Sequence, residues 1–390
     1  MAGQLKVNGV TLATEESGTV TLEAPQIKDS SNNVILDQSG TNPVLKNVEV
    51  VSNSSMMFRN RIINGDMRID QRNAGASVTP SSGQYTIDRW QFSLSQSSKL
   101  TAQQSSTAPT GFTKSLLITS SSAYSIVPGD YFNLVQQIEG FNVADLSWGT
   151  SSAATVTLSF WVRSSLIGTF GGAIQNENNN RSYPFTYTID SQNTWEQKII
   201  TIAGDQTGTW DTDNSIGIKV RIGLGVGSTY SGTAGSWDSS DYEGATGATS
   251  VVGTSGATFY ITGVQLEKGT VATPFEHRPI GTELALCQRY YYTCSRSGYM
   301  LGRGNGTTAL TDLRIPTPVP MRASPSISNN SGIWYAIDAD SYNNGTGATF
   351  SIGNFSANHL IVQVGNLTGL TDNRIGMVSL YSGYSLDAEL

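Results

Sequence analysis

Two clusters of carboxylates are the first residues whose types and spacing could do chemistry. Asp211 and Asp213 lie in "GDQTGTWDTDNS", and Asp238, Asp241 and Glu243 lie in "WDSSDYEG". Glycoside hydrolysis needs two carboxyl groups facing each other across a narrow gap. Nothing in the spacing sets either cluster on opposite walls of a groove, and no repeat period of a long β-helix is present. No catalytic residue is assigned, and the chain is not expected to be an enzyme. Asp205, Asp211 and Asp213 also offer hard oxygen ligands, but without the ligand order, central glycine and closing glutamate of a calcium loop. They are read as turn residues, and neither a metal nor a cofactor is expected. His277 and His359 fit no metal pattern and no Ser-His-Asp arrangement.

Aromatic rings offer a second chemistry. A pyranose stacks its C–H face on Trp or Tyr while neighbouring polar groups bond its hydroxyls. Trp210, Tyr230, Trp237 and Tyr242 occur in loop-like sequence, with Asp238 beside Trp237. These five residues form the expected carbohydrate-binding set, with Trp237 the best single candidate. Packing of the same rings against the domain is the alternative. Trp90, Trp161 and Trp195 fall within strand patterns and are read as core or sheet-face packing. The stretch 225–258 is long and rich in Gly and Ser. It is expected to be exposed and to carry any glycan contact.

The elements that must position these residues are β-strands. The chain has 390 residues, 38% hydrophobic and only 14% charged, with a net charge of −7. Its polarity comes from uncharged Ser, Thr, Asn, Gln and Gly, which suits many short strands and turns. An acidic balance argues against a nucleic-acid partner. Without an apolar run long enough to cross a bilayer, or a basic region followed by an apolar core at the start, membrane insertion and secretion are not expected. The expected place of assembly is a cytoplasm.

Three regions follow. Residues 1–58, with a hairpin at "QLKVNGVTLA", are too poor in apolar residues to bury a core alone and call for copies of themselves or a partner. Residues 59–278 read as a large β-sandwich. "ATVTLSFWVRSS" puts Val156, Leu158, Phe160 and Val162 on one face, and "YTIDRWQFSLS" is read as one alternating strand. "ATFYITGVQLEKG" gives Phe259, Ile261, Val264 and Leu266, with Gly263 shifting the phase as a bulge does. Residues 279–390 read as a connector helix at "GTELALCQRYY" and a smaller β-sandwich. Thr282 is the expected N-cap, and Leu284, Cys287 and Tyr291 line one helix face. Cys287 and Cys294, seven residues apart on one helix, would be about 10 Å apart and unable to bridge.

"NGDMRIDQRN", "YTIDRWQ", "LSFWVRSS", "FYITGVQLEKGTVATPFEHRPIGTELALCQRYY" and the closing "LDAEL" together resemble a recurrent set of bacteriophage tail-fibre and virion structural proteins. The resemblance covers residues 60–294 and the last few residues. The strand "FYITGVQLEKG" is also similar to the last strand of jelly-roll carbohydrate-binding modules. The fold class implied is all-β: an oligomerising N-terminal segment, a jelly-roll sandwich, a short helix and a smaller C-terminal sandwich. The function implied is a trimeric tail or head fibre on the virion, assembled in the host cytoplasm. It would bind host-surface polysaccharide and hold other virion proteins through residues 1–58. A capsid decoration or cement protein without receptor binding is the alternative, and a glycan-degrading fibre enzyme a second. In the fibre, Leu284 and Tyr291 would pack between chains; helix packing on its own chain's sheet is the other reading.

Overall fold

The computed structural model describes residues 58–294 throughout, most of 299–390, and the backbones of short strands between residues 3 and 45. The chain divides into two compact units, Met1–Met56 and Met57–Leu390. In the first, β1 (Gly3–Val7), β2 (Val10–Glu16) and β3 (Thr19–Leu22) pair in sequence, with Val7 opposite Val10 as a two-residue hairpin requires. A second sheet there holds β4 (Gln26–Lys28), β5 (Val34–Asp37) and β6 (Val44–Leu45). The expected attachment and trimerisation of residues 1–58 depend on side chains outside the described residues.

The second unit opens with the jelly-roll sandwich. Its strands are β7 (Tyr85–Ile87), β8 (Trp90–Leu94), β9 (Leu100–Ser105), β10 (Ser115–Ser120), β11 (Tyr131–Glu139), β12 (Val156–Ser164) and β13 (Gly168–Gln175). They continue as β14 (Ser182–Ile189), β15 (Glu196–Ile202), β16 (Ile216–Val226), the short pair β17 (Ser231–Gly232) and β18 (Gly244–Ala245), and β19 (Thr258–Lys268). One sheet has the order β15-β12-β19-β10-β9 and the other β14-β13-β16-β11-β8-β7. The chain crosses between sheets repeatedly, so each inner face is stitched from distant segments. The predicted set Val156, Leu158, Phe160, Val162, Phe259, Ile261, Val264 and Leu266 is fully buried between them, with Phe92, Phe132 and Ile222 opposite. Area removed from water on this scale is the main favourable contribution to the fold.

Three local readings need correction. "YTIDRWQFSLS" is two strands: Arg89 adopts a left-handed φ of 69° and turns the chain between β7 and β8. The helix α1 runs Ile280–Gln288 and starts after Pro279, whose fixed φ suits a helix start, so Thr282 lies inside the first turn and caps nothing. Cys294 is not on that helix; it ends the strand β20 (Tyr291–Cys294), and neither cysteine is in a disulfide.

α1 packs on its own chain. Cys287 and Tyr290 are fully buried against Ile63 and Ile69, with Leu284, Leu286 and Leu390 around them. Beyond it lie β21 (Tyr299–Asn305), β22 (Ala309–Pro316), β23 (Ser326–Asn329), β24 (Ile333–Ile337), β25 (Ser341–Asn344) and β26 (Thr349–Ser356). β27 (His359–Gly365), β28 (Ile375–Leu380) and β29 (Tyr384–Asp387) complete the chain. They form a seven-stranded sheet, β25-β24-β28-β21-β22-β27-β26, and a three-stranded one, β20-β29-β23. Their core is separate from that of the jelly roll and includes Leu310, Leu313, Leu360, Val362 and Leu386. The fold is therefore all-β, with one short α-helix among the described residues, in the chain between two sandwich-like sets of sheets.

Candidate functional site

Of the four loop aromatics picked from sequence, Trp210 and Trp237 come together, edge to face, while Tyr230 and Tyr242 lie apart from them. Trp210 and Trp237 meet Trp148 and Tyr183, which sequence reading had not singled out, at one end of the sandwich. Centroid separations are 4.7 Å for Trp148–Trp210, 5.3 Å for Trp148–Trp237, 5.4 Å for Trp210–Trp237 and 5.2 Å for Tyr183–Trp237. All four pairs are edge-to-face, the arrangement ring quadrupoles favour in a packed interior. Each indole N–H is also used. Trp148 donates to the Ala154 carbonyl at 2.7 Å, Trp237 to that of Ala203 at 2.7 Å, and Trp210 to Asp205 at 3.1 Å. Only Trp237 is partly exposed; the other three rings are buried. The cavity beside Trp148 and Trp210 holds about 10 Å³, room for one water and not for a sugar ring.

The acidic residues around this cluster are equally committed. Arg181 grips Asp205 with two bonds of 2.7 Å. Burial pushes the Asp205 carboxyl up, but the Arg181 bonds outweigh it and hold the group below the usual range. Asp238 accepts from the Ser240 amide at 2.8 Å. Asp241 accepts from Gln175 at 2.8 Å, and Glu243 lies 3.1 Å from the buried Arg221 while accepting from Asn133 at 2.6 Å. Tyr230 packs edge-on against Tyr131 at 5.3 Å, and the partly buried Tyr242 gives its carbonyl to Gln175. The stretch 225–258 is therefore not a free loop. Its Glu243 pairs with Arg221 of β16, its Asp241 and Tyr242 carbonyl take Gln175 of β13, and its Val251 and Val252 are buried in the core. Among the described residues, no group of three or more His, Cys, Asp or Glu side chains gathers as a metal would need.

Several of the segments quoted for the resemblance, "NGDMRIDQRN", "YTIDRWQ", "PFEHRP" and "LDAEL" among them, converge elsewhere, on a buried joint between the jelly roll, α1 and residues 387–390. Glu276 accepts from the Asn60 amide at 2.9 Å; Glu283 accepts from Asn64 at 2.5 Å and pairs with Arg278 at 3.4 Å. Arg89, 1% exposed, pairs with Glu389 and lies over the Tyr290 ring at 3.6 Å. Arg72 reaches Glu389 at 2.8 Å, and Arg322 bonds the carbonyls of Ala388 and Glu389 at 2.9 and 2.8 Å. Glu139 takes Arg289 at 2.5 Å and the Tyr290 hydroxyl at 2.7 Å. Burial alone would raise the Glu139 carboxyl; these partners outweigh it and hold it low. Asp88, fully buried, is pushed up to about 6 by burial, despite bonds from Gln71. Those motifs are cement: every charge has a partner, as burial demands.

A set of aromatic rings that reaches solvent lies on the outward face of the five-stranded sheet. On β12, Val156 to Val162 face inward at every second position, so Trp161 and Arg163 face out; on β19, Phe259 and Ile261 face in, so Tyr260 faces out. Arg163 is paired across the ladder with Tyr260, and Trp161 with Gln197 of β15. Trp195, just before β15, meets Tyr260 at 6.1 Å, and the Arg163 guanidinium lies 5.0 Å from the Tyr260 ring centre. All four side chains are partly exposed, and Ile199 on the same face is 56% exposed. Sequence reading assigned Trp161 and Trp195 to packing. The parity of each strand was the signal that separates them from the core.

No family model matches the chain, and no curated protein matches it. Solved structures similar to part of it include the enzymatically active domain of tailspike protein 4 of bacteriophage CBA120. That match is 13% identical with a TM-score of 0.30, over 54% of this chain and 22% of that one, so the likeness spans about a fifth of that solved chain's length. A family 11 carbohydrate-binding module from Clostridium thermocellum, in complex with a β-1,3-1,4-mixed-linked tetrasaccharide, is 12% identical with a TM-score of 0.26, over 53% of this chain and 100% of that one. The module TmCBM61, in complex with β-1,4-galactotriose, is 10% identical with a TM-score of 0.26, over 48% and 92%. Identities and scores this low carry no function across.

Proposed function

We propose that this chain is a glycan-binding structural subunit of a bacteriophage appendage, a tail or head fibre assembled as a homotrimer on the virion. The observation that carries the binding half is the outward face with Trp161, Trp195 and Tyr260. Rings held by a sheet lose little freedom on binding, and aromatic anchors dominate binding energy at exposed sites. Trp237 and its neighbours are assigned to holding the sandwich end together. The structural half rests on the resemblance and on the buried joint, which fastens two β modules as a fibre under load requires. Copies in a trimer would multiply weak single-site affinity.

The test is direct. Purified full-length chain should run as a trimer by light scattering and bind host cells, and polysaccharide extracted from those cells should compete. A trimer that never binds cells or polysaccharide would favour the second reading, a capsid decoration protein, for which the joint alone would be sufficient. Release of reducing ends from the polysaccharide would instead favour a glycan-degrading enzyme.

A further inference from the structure

We propose that Gly263 assembles the outward face of the five-stranded sheet into one strip with two aromatic stations, and that the strip takes an internal stretch of a linear, neutral polysaccharide. The proposal rests on the glycan-binding reading above. The first station is Trp195, Arg163 and Tyr260. The second is built around Trp161 by rings from outside the sheet. Phe112, in the turn between β9 and β10, lies 5.1 Å from Phe275 and 5.2 Å from His277, and those two rings are 5.0 Å apart. Phe275 and His277 come from the proline-containing stretch after β19. Phe112 and Phe275 are partly exposed and His277 is exposed.

Gly263 is where the second station closes. Its φ is +61°, and the ladder between β12 and β19 slips between Ser159 and Trp161. A Cβ at this position would lie 2.6 Å from Phe112 Cζ and 3.1 Å from Trp161 Cδ1. The bulge thus turns the strand with a conformation other residues rarely adopt, and it clears the space in which Phe112 and Trp161 flank the backbone. An alanine there could not keep both rings in place.

The composition of the face sets the ligand. Besides the rings, the ladders bring Gln103, Thr119, Gln197 and Thr258 to it; its cations are already engaged, Arg163 with the Asn193 carbonyl at 2.8 Å and Arg59 with Glu267 at 3.8 Å. Amide and hydroxyl groups suit sugar hydroxyls, whereas a polyanion would be drawn to a basic face. One sugar ring cannot cover both stations, so affinity should accumulate over several sugars of one chain.

Affinity electrophoresis of the full-length chain tests this, with gels cast separately with β-1,3-glucan, β-1,4-galactan, xylan, agarose and, as the acidic counterpart, alginate. At least one neutral polymer should retard the protein and alginate should not. The matching hexasaccharide should compete about tenfold better than the disaccharide, roughly 1.4 kcal/mol. Gly263→Ala and, should that strain the fold, Phe112→Ala should each cut this hexasaccharide-to-disaccharide ratio at least about fivefold. Equal competition by both oligosaccharides, retardation by alginate alone, or a ratio unmoved by Phe112→Ala would overturn the two-station strip while leaving glycan binding intact. No retardation in any gel, together with no binding to host polysaccharide, would overturn the glycan-binding reading itself.

Discussion

The end of the jelly roll and its five-stranded sheet use the same residue types for opposite ends. Trp148, Trp210 and Trp237 turn edges to faces and give every indole N–H to the protein. Trp161, Trp195 and Tyr260 are spaced by a ladder that holds them on a surface, with water on one side. Loop sequence is therefore a poor guide to whether a tryptophan is packed or exposed. What separates the two groups is burial: Trp148 and Trp210 are closed off from water, whereas Trp161, Trp195 and Tyr260 are each partly exposed.

The sharpest way to break this comparison is to disturb a place where burial is complete. Glu389→Ala leaves the Arg89 guanidinium, 1% exposed, without its carboxylate. Removing one partner of a buried pair costs about 3–5 kcal/mol, so the melting temperature should fall at least as far as for any ring variant. A small fall would mean that the joint is not cement. Next comes the packed cluster: Trp210→Ala should lose about 3–5 kcal/mol in thermal or urea unfolding. Trp237→Ala, at the partly exposed rim, should lose about 2 kcal/mol. If Trp237→Ala instead abolished cell binding with stability intact, the loop would be the site.

Titration sharpens the comparison further. Asp88, with its pKa raised to about 6 by burial, holds its proton in the fold where the unfolded chain has lost it, so its contribution falls as pH rises from about 4 to 6. Glu139 and Asp205 have lowered values; their contributions are present above about pH 4 and are lost as pH falls. Melts across pH should therefore show the acid-side loss in the parent, and Asp88→Asn should remove the fall between about pH 4 and 6. The smallest effect is expected from a chelator, which should leave the melting temperature unchanged; a large drop would point to a metal at Asp211 and Asp213.

Much of this was legible in the sequence, through period-two alternation. Val156 to Val162 and Phe259 to Leu266 were read as inward faces, with the bulge at Gly263, and the structure places them so. The same alternation implied that Trp161 and Tyr260 point out, a consequence the reading left unused. Arg89 was missed as a turn because a left-handed arginine is rare, and its buried partners, Glu389, the Gln137 carbonyl and the Tyr290 ring, come from distant segments. The convergence of Trp148, Tyr183, Trp210 and Trp237 could not be read locally, since their contacts join four separate segments of the chain. Nor could the joint: "PFEHRP" and "LDAEL" resembled a signature, but their partners, Asn60, Arg72 and Arg89, lie over two hundred residues away.

One measurement bears most directly on the division between packed rings and presented rings. Trp161→Ala and Trp210→Ala should be compared in the full-length chain for both melting temperature and retardation by the neutral polymer that retards the parent. The account predicts that Trp161→Ala weakens retardation about tenfold or more while melting within a few degrees of the parent, and that Trp210→Ala does the reverse. Loss of stability without loss of retardation in Trp161→Ala would contradict it.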